Sequence, residues 1–555
     1  MKSRLLLLLL ALAPLALNAQ FTTDTIQNTL VHNVQGSDQV TPLSATTSGG
    51  KTYISWFDNS SGSYVLRMQL LNVDGTAAWA PNGIIVSAYP QNTALFRYDL
   101  VTDQEDNAIV AFQDERSGSL KVVAYKVTPS GVLAWGAAGV QLTDSVADGL
   151  APRITVTQTN HVIVAWNSTI GSAKWISFQK ISPAGNIVWS KRIFDTSKYS
   201  RAVMVPTGTD DFLMMYVKET GNFPGVTSTM FAQRFDTNGL PVWTLPVQVS
   251  TKTIAFFFFP ELIRDGQGGF YTAFNTSNPV VPSLIDVYAQ RVSNAGTLWS
   301  ATGTQLSNSS TENKSFGGAC ISNTNTLRVA LQVLDGGQSN AGISFQALDS
   351  AGAVLLGATG QALKPVVSPI YHRPLALANS GNSYILVFTE STGFGTDKIK
   401  ALKVDDIGTN QWSYDPTICA NPSGKDDLTA GKYTAGQLVL VWADDRLTIG
   451  SDNGVYAQNI QGNGSFGAVS TGLPAISTVS SPVLYPNPGR SVSLLLPEGS
   501  ASGLLRVVDI TGREIYRSVH TGGNLISIPT IETEGLYSVE WNSNGASYRL
   551  KWMNR

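Results

Sequence analysis

The chain has 555 residues, a formal net charge of −2 and only 14 % charged residues, against about a quarter in ordinary soluble domains. Its length exceeds what one hydrophobic core usually serves and indicates several domains or a large repeat array. Because the charge is balanced and no run of Lys or Arg forms a patch, a nucleic-acid partner is excluded.

Residues 1–19 are predicted to be a secretory signal peptide. Lys2 and Arg4 precede an apolar run from Leu5 to Leu17, and Asn18-Ala19 supplies the small-residue exit. The run is short for a membrane span, which needs about 20 residues, and no later segment is apolar enough to be one. We therefore expect no transmembrane segment in the mature chain, and a location that is secreted or on the outer cell surface.

A repeat occupies residues 20–470. A glycine recurs every 54 to 57 residues, in most copies with Gln six residues before it and Trp three or four residues after it. The glycines are Gly75, Gly131, Gly185, Gly239, Gly296, Gly352, Gly408 and Gly464. A fixed period of this size predicts a stack of structural units, because one unit cannot bury its own faces.

One copy reads as four strands, over 97–102, 108–113, 119–128 and 132–142, separated by turns rich in Asp, Asn, Pro and Gly. No helical periodicity is present. Eight such units predict an all-β fold, an eight-bladed β-propeller. We expect residues 28–37 to pair with the last blade and close the ring; the alternative is a purely C-terminal eighth blade that runs through Gly464 to Val469.

Residue types that recur in register are predicted to serve packing. The second strands carry an aromatic residue or Leu, and these side chains together with the Trp after each Gly are expected in the core. The recurring Gln is expected to satisfy backbone groups between blades. Asp58, Asp114, Glu390 and Asp444 are expected in structural pairs with basic residues, and Cys320 and Cys419 are expected to be unpaired thiols because they fall on distant strands.

Residues 471–482 are predicted to be a linker, and residues 483–555 a small antiparallel Ig-like β-sandwich. Several motifs occur there in order: Tyr485-Pro486-Asn487-Pro488, a hairpin around Gly512, a strand with Gly535 and Tyr537, and a last strand with Lys551. These residues resemble the type A C-terminal sorting domain of the type IX secretion system of Bacteroidota. The resemblance implies that the type IX machinery recognises 483–555 as a partner and exports the chain, with the tail commonly removed afterwards.

Aromatic and Arg side chains gather where the first strand of each copy begins, and they vary between copies. Large aromatic surfaces and forked donors suit ligand binding. The candidate ligand-binding residues are Arg97, Tyr98, Arg153, Tyr199, Arg201, Phe257, Tyr371 and Arg373. Packing between blades is the competing interpretation for about half of them.

Three classes of function compete. The leading one is an extracellular propeller that binds a glycan or protein, as an adhesin or a scaffold, and it requires no cofactor. The second is a glycan-active hydrolase, since Asp74-Gly75 with Trp79 is similar to the Asp-box of sialidase propellers, although the Gly-to-Trp spacing is four rather than three. A metal-dependent activity is the third, but the four histidines, His32, His161, His372 and His520, lack ligand spacing. No catalytic residue is predicted.

Overall fold

The structure is a computed structural model that describes residues 20–91, 97–116, 118–143, 146–221, 225–255, 258–278, 281, 284–468, 482–496, 502–521, 525–543 and 546–555. The predicted signal peptide, nearly all of the predicted linker and Phe257 lie outside these residues. The chain divides into two compact units, Met1–Val469 and Ser470–Arg555. Throughout the described ranges all regular structure is strand, and none of it is a helix that could cross a membrane.

The first unit contains thirty-two strands in its described residues. They are β1 Thr29–His32, β2 Gln39–Thr46, β3 Thr52–Asp58, β4 Tyr64–Leu71, β5 Ile84–Gln91, β6 Asp99–Thr102, β7 Ala108–Asp114, β8 Lys121–Val127, β9 Val140–Gln141, β10 Asp148–Val156, β11 Val162–Ile170, β12 Ala173–Ile181, β13 Ile187–Ile193, β14 Lys198–Thr207, β15 Asp211–Thr220, β16 Thr227–Phe235, β17 Val247–Gln248, β18 Ile263–Arg264, β19 Phe270–Ser277, β20 Ile285–Val292, β21 Thr304–Gln305, β22 Asn313–Ile321, β23 Leu327–Leu334, β24 Ala341–Ala347, β25 Gln361–Lys364, β26 Tyr371–Asn379, β27 Tyr384–Ser391, β28 Asp397–Val404, β29 Thr417–Ser423, β30 Lys425–Ala430, β31 Gln437–Asp444 and β32 Gly454–Gln461.

These strands form six four-stranded sheets and one eight-stranded sheet within the described part of the unit. The eight-stranded sheet consists of two groups of four that are joined by one parallel bridge, between Ala341 and Tyr371. All other pairings between the strands of the unit are antiparallel, and each group follows one copy of the sequence repeat. Middle strands such as β3 and β7 are buried along their whole length, because sheets pack on both of their faces.

The N-terminal strand belongs to the last repeat. β1 pairs with β32, so the sheet of the last repeat has the order β1-β32-β31-β30. β2 in turn contacts β30 and β31, and one apolar cluster joins Phe21, Val31 and Trp56 to Val441 of the last repeat. The prediction that residues within 28–37 close the array is therefore confirmed for Thr29–His32. The C-terminal alternative is wrong, because residues 462–468 form no strand.

The recurring Gly and Trp form a clasp between successive repeats. In five repeats the indole N–H donates to a carbonyl two residues before the Gly of the next repeat, and the Trp ring lies over that Gly. The pairs are Trp79 with Pro129 at 2.9 Å, Trp135 with Pro183 at 3.1 Å, Trp189 with Thr237 at 3.0 Å, Trp299 with Ser350 at 3.0 Å and Trp412 with Gly462 at 3.3 Å. These Trp side chains are half-buried at the boundary, which corrects the expectation that they lie in the core.

The same clasp shortens the predicted fourth strand. After Trp135 the chain makes two tight turns, in which Gly136 N–H donates to Leu133 and Gly139 N–H donates to Gly136. Only Val140–Gln141 then pairs with the third strand. The sequence pattern predicted an extended segment over 132–142, because it registers the apolar residues but not the contact with the next repeat.

The recurring Gln satisfies backbone groups, as predicted. The Gln290 side chain donates to Val249 of the preceding repeat at 2.9 Å and to Ser300 at 2.6 Å, and it accepts from Trp299 N–H at 3.0 Å. Gln346 repeats the arrangement, with donation to Leu306 at 3.1 Å. Both ends of the Gln290 amide are thus bonded, as a buried polar group requires, whereas the side-chain oxygen of Gln179 has no partner among the described residues.

The recurring carboxylates are structural pairs, as predicted. Asp114 binds Arg116 at 2.6 Å, and Asp444 binds both Arg446 at 2.5 Å and Lys425 at 3.3 Å. Cys320 and Cys419 are free thiols, and burial raises the pKa of both. Asp114 and Asp444 are thus held in ion pairs, and burial favours the protonated form of both thiols.

The second unit consists of two antiparallel sheets. Its strands are β33 Val483–Tyr485, β34 Val492–Leu495, β35 Gly503–Asp509, β36 Glu514–His520, β37 Leu525–Ile528, β38 Gly535–Ser543 and β39 Ala546–Asn554. One sheet has the order β33-β34-β37 and the other β36-β35-β38-β39. Side chains of both sheets, such as Leu494 and Trp552, share one apolar core.

The motif residues of the tail have structural contacts, and Asn487 is bonded to the last strand. The Asn487 side chain donates to Lys551 O at 2.6 Å and accepts from Met553 N–H at 3.0 Å. Gly512 has φ +85° in the turn between β35 and β36. The Tyr537 hydroxyl donates to Thr533 O at 2.8 Å. Lys551 is exposed on β39.

Candidate ligand-binding site

The first strands of the repeats are irregular near their start. Register shifts interrupt the first-to-second strand pairing of six repeats, in β2, β10, β14, β22, β26 and β30. Four non-glycine residues at these shifts have positive φ: Thr41 (51°), Ala151 (50°), Arg201 (56°) and Asp427 (49°). Bulges redirect side chains and are common beside binding sites, and left-handed non-glycine residues carry local strain.

Side-chain amides of the neighbouring repeat hold these bulges. Asn167 accepts from Arg201 N–H at 2.8 Å, Asn275 accepts from Phe316 N–H at 2.9 Å, and Gln113 accepts from Ala151 N–H at 3.3 Å. Each amide directly follows the second-strand aromatic. The sequence signal for these bulges is a polar side chain inside an otherwise apolar strand, and it was not among the predictions.

Arg97 and Arg153 lie together. The Arg97 guanidinium stacks on Phe259 at 4.1 Å from the ring centroid, and both arginines line a small cavity with Arg201 and Phe259. The cavity has a volume of about 20 Å³, which is room for roughly one water molecule. A ligand larger than one functional group therefore has to lie over these side chains and not inside the cavity.

The two arginines differ in their neutralisation. Arg153 faces Asp99 at 3.7 Å. Arg97 has no hydrogen bond or ion pair to the described residues. Burial and the charge of Arg153 lower the pKa of Arg97, against the opposing effect of Glu261 and Asp427. Arg97 is thus a cation with its guanidinium edge unoccupied beside an aromatic ring.

Two adjacent carboxylates lie near these cations. Burial raises the pKa of both Asp426 and Asp427, and for Asp427 the charge of Asp426 adds to the effect, while Arg97 and Arg373 oppose it. The two side chains are exposed to solvent, but the surrounding strands displace enough water to disfavour their charge. Asp427 belongs to the last repeat and Arg97 to the second, so the fold brings together residues 330 positions apart. We name Arg97, Arg153, Arg373, Asp426 and Asp427 the arginine–aspartate cluster.

Arg373 is exposed and belongs to this cluster, with a long contact of 3.5 Å from its guanidinium to Lys425 O. Arg201 does not belong to it in the same sense. Its guanidinium donates to Ser228 Oγ at 2.8 Å and to Phe258 O at 3.0 Å, and it faces Glu219 at 3.5 Å. These guanidinium contacts join the fourth repeat to the fifth, and the role of Arg201 in ligand binding stays a prediction.

The predicted tyrosines are mostly structural. Tyr98 is 4 % exposed, and its hydroxyl donates to Thr41 O at 2.8 Å. Tyr199 is 7 % exposed, with its hydroxyl on Asp195 at 2.8 Å. Both side chains are buried in the packing between repeats, and their role in ligand binding stays a prediction. Tyr371 is half-buried at the start of β26, and Phe257 lies outside the described residues.

Each histidine of the first unit faces one carboxylate and at least one further oxygen atom. His372 faces Glu390 at 3.2 Å, and His32 faces Asp58 at 3.4 Å. In the portion of the chain that the structure describes, no three His, Cys, Asp or Glu side chains are grouped so as to hold a metal ion.

No protein-family model matches the chain, and no curated protein matches it. Among solved structures, an ulvan lyase of a new polysaccharide lyase family is 10 % identical with a TM-score of 0.41, over 79 % of this chain and 96 % of that one. A protein of unknown function from Dyadobacter fermentans is 9 % identical (TM-score 0.35; 56 % and 94 %). An α-L-arabinofuranosidase from Fusarium graminearum is 10 % identical (TM-score 0.33; 56 % and 92 %). Scores below 0.5 carry no argument about the function of this chain.

Proposed function

We propose that the first unit is an eight-bladed β-propeller whose arginine–aspartate cluster binds an acidic extracellular glycan. The single observation that carries the proposal is Arg97, a cation without a partner among the described residues, held flat against Phe259 and next to Arg153. A planar guanidinium offers paired donors to a carboxylate or sulfate. The adjacent ring offers an apolar surface to a sugar face.

Substitution of both Arg97 and Arg153 by Gln should weaken binding of acidic glycans by about 100-fold. Each charged hydrogen bond contributes about 1.5–3 kcal/mol, and 1.4 kcal/mol corresponds to about tenfold. The measurement is a glycan array with uronate, sulfated, sialylated and neutral glycans, followed by titration of the glycans that bind. Arg192→Gln is the matched control, because Arg192 also stacks on a phenylalanine, Phe194, at 4.7 Å but lies outside the cluster.

The two aspartates give this binding a pH dependence with a definite sign. Their raised pKa values mean that acidification from neutral pH neutralises them before an ordinary aspartate, which titrates at about 4. Removal of negative charge near Arg97 should strengthen binding of an anionic glycan as the pH falls. Asp427→Asn should flatten that dependence. Unchanged binding by the double arginine variant, or binding that weakens on acidification, would contradict the proposal.

A glycan-active hydrolase is the second candidate, and the Asp426–Asp427 pair favours it. A carboxyl with a raised pKa holds its proton to a higher pH than an ordinary aspartate and can act as a general acid, and glycosidases use two carboxyl groups on the scissile bond. The test is product formation from each glycan that binds on the array. Loss of product in Asp427→Asn with binding retained would support the hydrolase. Binding without product formation by the wild-type protein would contradict the hydrolase and favour a binding protein.

For the second unit we propose an Ig-like sandwich that acts as the type IX sorting signal, with the secretion machinery as its partner and the cell surface or medium as the destination. The motif Tyr485-Pro486-Asn487-Pro488 and the last strand support this, because Asn487 bonds to the backbone of Lys551 and Met553. Two motifs that are distant in the sequence are thus in direct contact.

Deletion of 483–555 should leave the protein in the periplasm of a host with a type IX system. The measurement is immunoblotting of periplasmic, surface and medium fractions. Asn487→Ala is the finer variant, since it removes both bonds to β39 without removing a strand, and we expect reduced export from it. Normal surface display of the deleted chain would contradict the sorting proposal.

A further inference from the structure

A cavity of the first unit lies at the opposite end of the first strands from the arginine–aspartate cluster. It has a volume of about 660 Å³ and is lined by the ends of β2, β6, β10, β14, β18 and the segment after β30. From Thr41 to Thr47 is six residues, or roughly 20 Å at about 3.3 Å per residue. The cavity and the cluster are therefore separate places on the same set of strands.

Arg264 lines this cavity without a partner. Among the described residues its guanidinium has no hydrogen bond, ion pair or aromatic contact, and burial alone lowers its pKa. Arg201 shows the contrast, because burial also lowers its pKa but Glu219 and Ser228 neutralise and bond it. The Arg264 side chain is exposed at the end of β18, so its guanidinium is accessible to a ligand in the cavity.

The acidic groups of the cavity do not serve Arg264. Four ionisable side chains line the cavity: Asp103, Asp106, Arg264 and Lys432. Asp103 is bound by Lys126 at 2.8 Å. Asp106 accepts from Ser48 N–H at 2.6 Å and from Ser48 Oγ at 2.7 Å. The Lys432 ammonium has no partner among the described residues either. Asp106 keeps its negative charge, because Ser48 supplies only neutral donors. With Asp103 paired to Lys126, the charges of Asp106, Arg264 and Lys432 leave the wall with one net positive charge.

The rest of the wall is rich in hydroxyl groups. Thr102, Thr155 and Thr434 line the cavity together with Ser44 and Thr46. Hydroxyl groups both donate and accept, and they can therefore bond the hydroxyls of a ligand in either sense. The volume is within the range of ordinary ligand sites, about 300–1,000 Å³.

We propose that this cavity binds the carboxylate or sulfate group of a polyhydroxylated ligand such as an acidic oligosaccharide, with Arg264 as the counter-charge. The site is separate from the arginine–aspartate cluster and does not depend on the proposed function. The second cation, Lys432, adds positive charge to the same cavity.

The experiment is calorimetric titration of the full-length protein with trigalacturonate, which carries carboxylates, and with a sulfated heparin disaccharide. Arg264→Met should weaken the binding of at least one probe by about tenfold or more, the loss of one charged contact. Which probe responds distinguishes carboxylate from sulfate. Arg192→Met is the control. Arg192 lies outside the cavity and also has no carboxylate partner among the described residues, so this variant should bind both probes as the wild type does.

The ligand-free protein gives an independent measurement. Arg264→Met should leave the melting temperature of the ligand-free protein at or above the wild-type value, because the Arg264 side chain is exposed and bonds none of the described residues. A lower melting temperature would show a structural role and overturn the proposal, as would unchanged binding in Arg264→Met or failure of both probes to bind the wild type. The Arg97→Gln, Arg153→Gln variant should retain the Arg264-dependent binding, so failure of the cluster and failure of this cavity give different results.

Discussion

A chain that begins at Gly36 instead of Gln20 is expected to lose the cooperative fold of its first unit. This truncation removes β1, which covers the edge of β32. It also removes Phe21 and Val31 from the cluster that joins the first and last repeats. Two such buried side chains contribute about 1.5–3 kcal/mol each, within a total stability of about 5–15 kcal/mol.

Further contacts of the same segment increase the effect. The Arg446 guanidinium, already paired with Asp444, donates to Gln27 O at 2.7 Å and to Ile26 O at 3.0 Å. Gln458 donates to Thr22 O at 2.8 Å. Without these partners the last sheet has an open edge and unsatisfied buried donors, which favour aggregation.

Near-ultraviolet circular dichroism and limited trypsin digestion measure the outcome, with the chain from Gln20 as reference. Leu30→Ala is the matched control. Its side chain lies on the same strand but is 53 % exposed, so we expect a change within about 0.5 kcal/mol. A truncated protein that keeps the reference spectrum and protease resistance would show that the fold of the first unit does not depend on β1.

Gly352→Ala is expected to destabilise the first unit by about 2–5 kcal/mol. A Cβ at this position would lie 2.4 Å from the Trp299 ring, and the residue has φ +85°. The left-handed backbone costs a non-glycine residue about 1–2 kcal/mol, and overpacking of a filled contact adds about 1–3 kcal/mol. Trp299 cannot move away freely, because its indole donates to Ser350 O.

Gly357→Ala separates the two effects. Gly357 has a similar φ of +76° but nothing within 4 Å of an added Cβ, so only the backbone cost of about 1–2 kcal/mol is expected. Urea unfolding followed by Trp fluorescence measures both variants. Equal midpoints for the two would mean that the Trp–Gly contact contributes nothing to stability and that the repeat signature has another cause.

The repeat unit was predictable because its signals are local. Alternating strands and turns, the Gly before each Trp and the Gln six residues earlier are all visible within about 55 residues, and the structure places one four-stranded group on each copy. The closing strand was predicted from Val34-Gln35-Gly36-Ser37, which is similar to the ends of fourth strands. Those four residues lie in a turn, and the strand itself is Thr29–His32. The Trp clasp was not predictable, because its partner carbonyl lies in the next copy.

The candidate site was predictable only in outline. The sequence placed Arg97, Arg153 and Arg373 where the first strands begin, and two of these line one cavity while the third shares an acidic neighbour with Arg97. It did not separate them from Arg201, Tyr98 and Tyr199. All of these residue types are equally suited to binding and to packing, and only a list of their contacts distinguishes the two.

The sequence by itself determined the all-β repeat, the boundary near residue 470 and the resemblance of the tail, because each depends on neighbours along the chain. Only the tertiary structure decided which cations lack a counter-charge. Asp99 neutralises Arg153 and Glu219 neutralises Arg201, whereas Arg97 and Arg264 have no such partner among the described residues. Charge pairing depends on distances of a few ångströms between different repeats, and spacing within one repeat does not encode those distances.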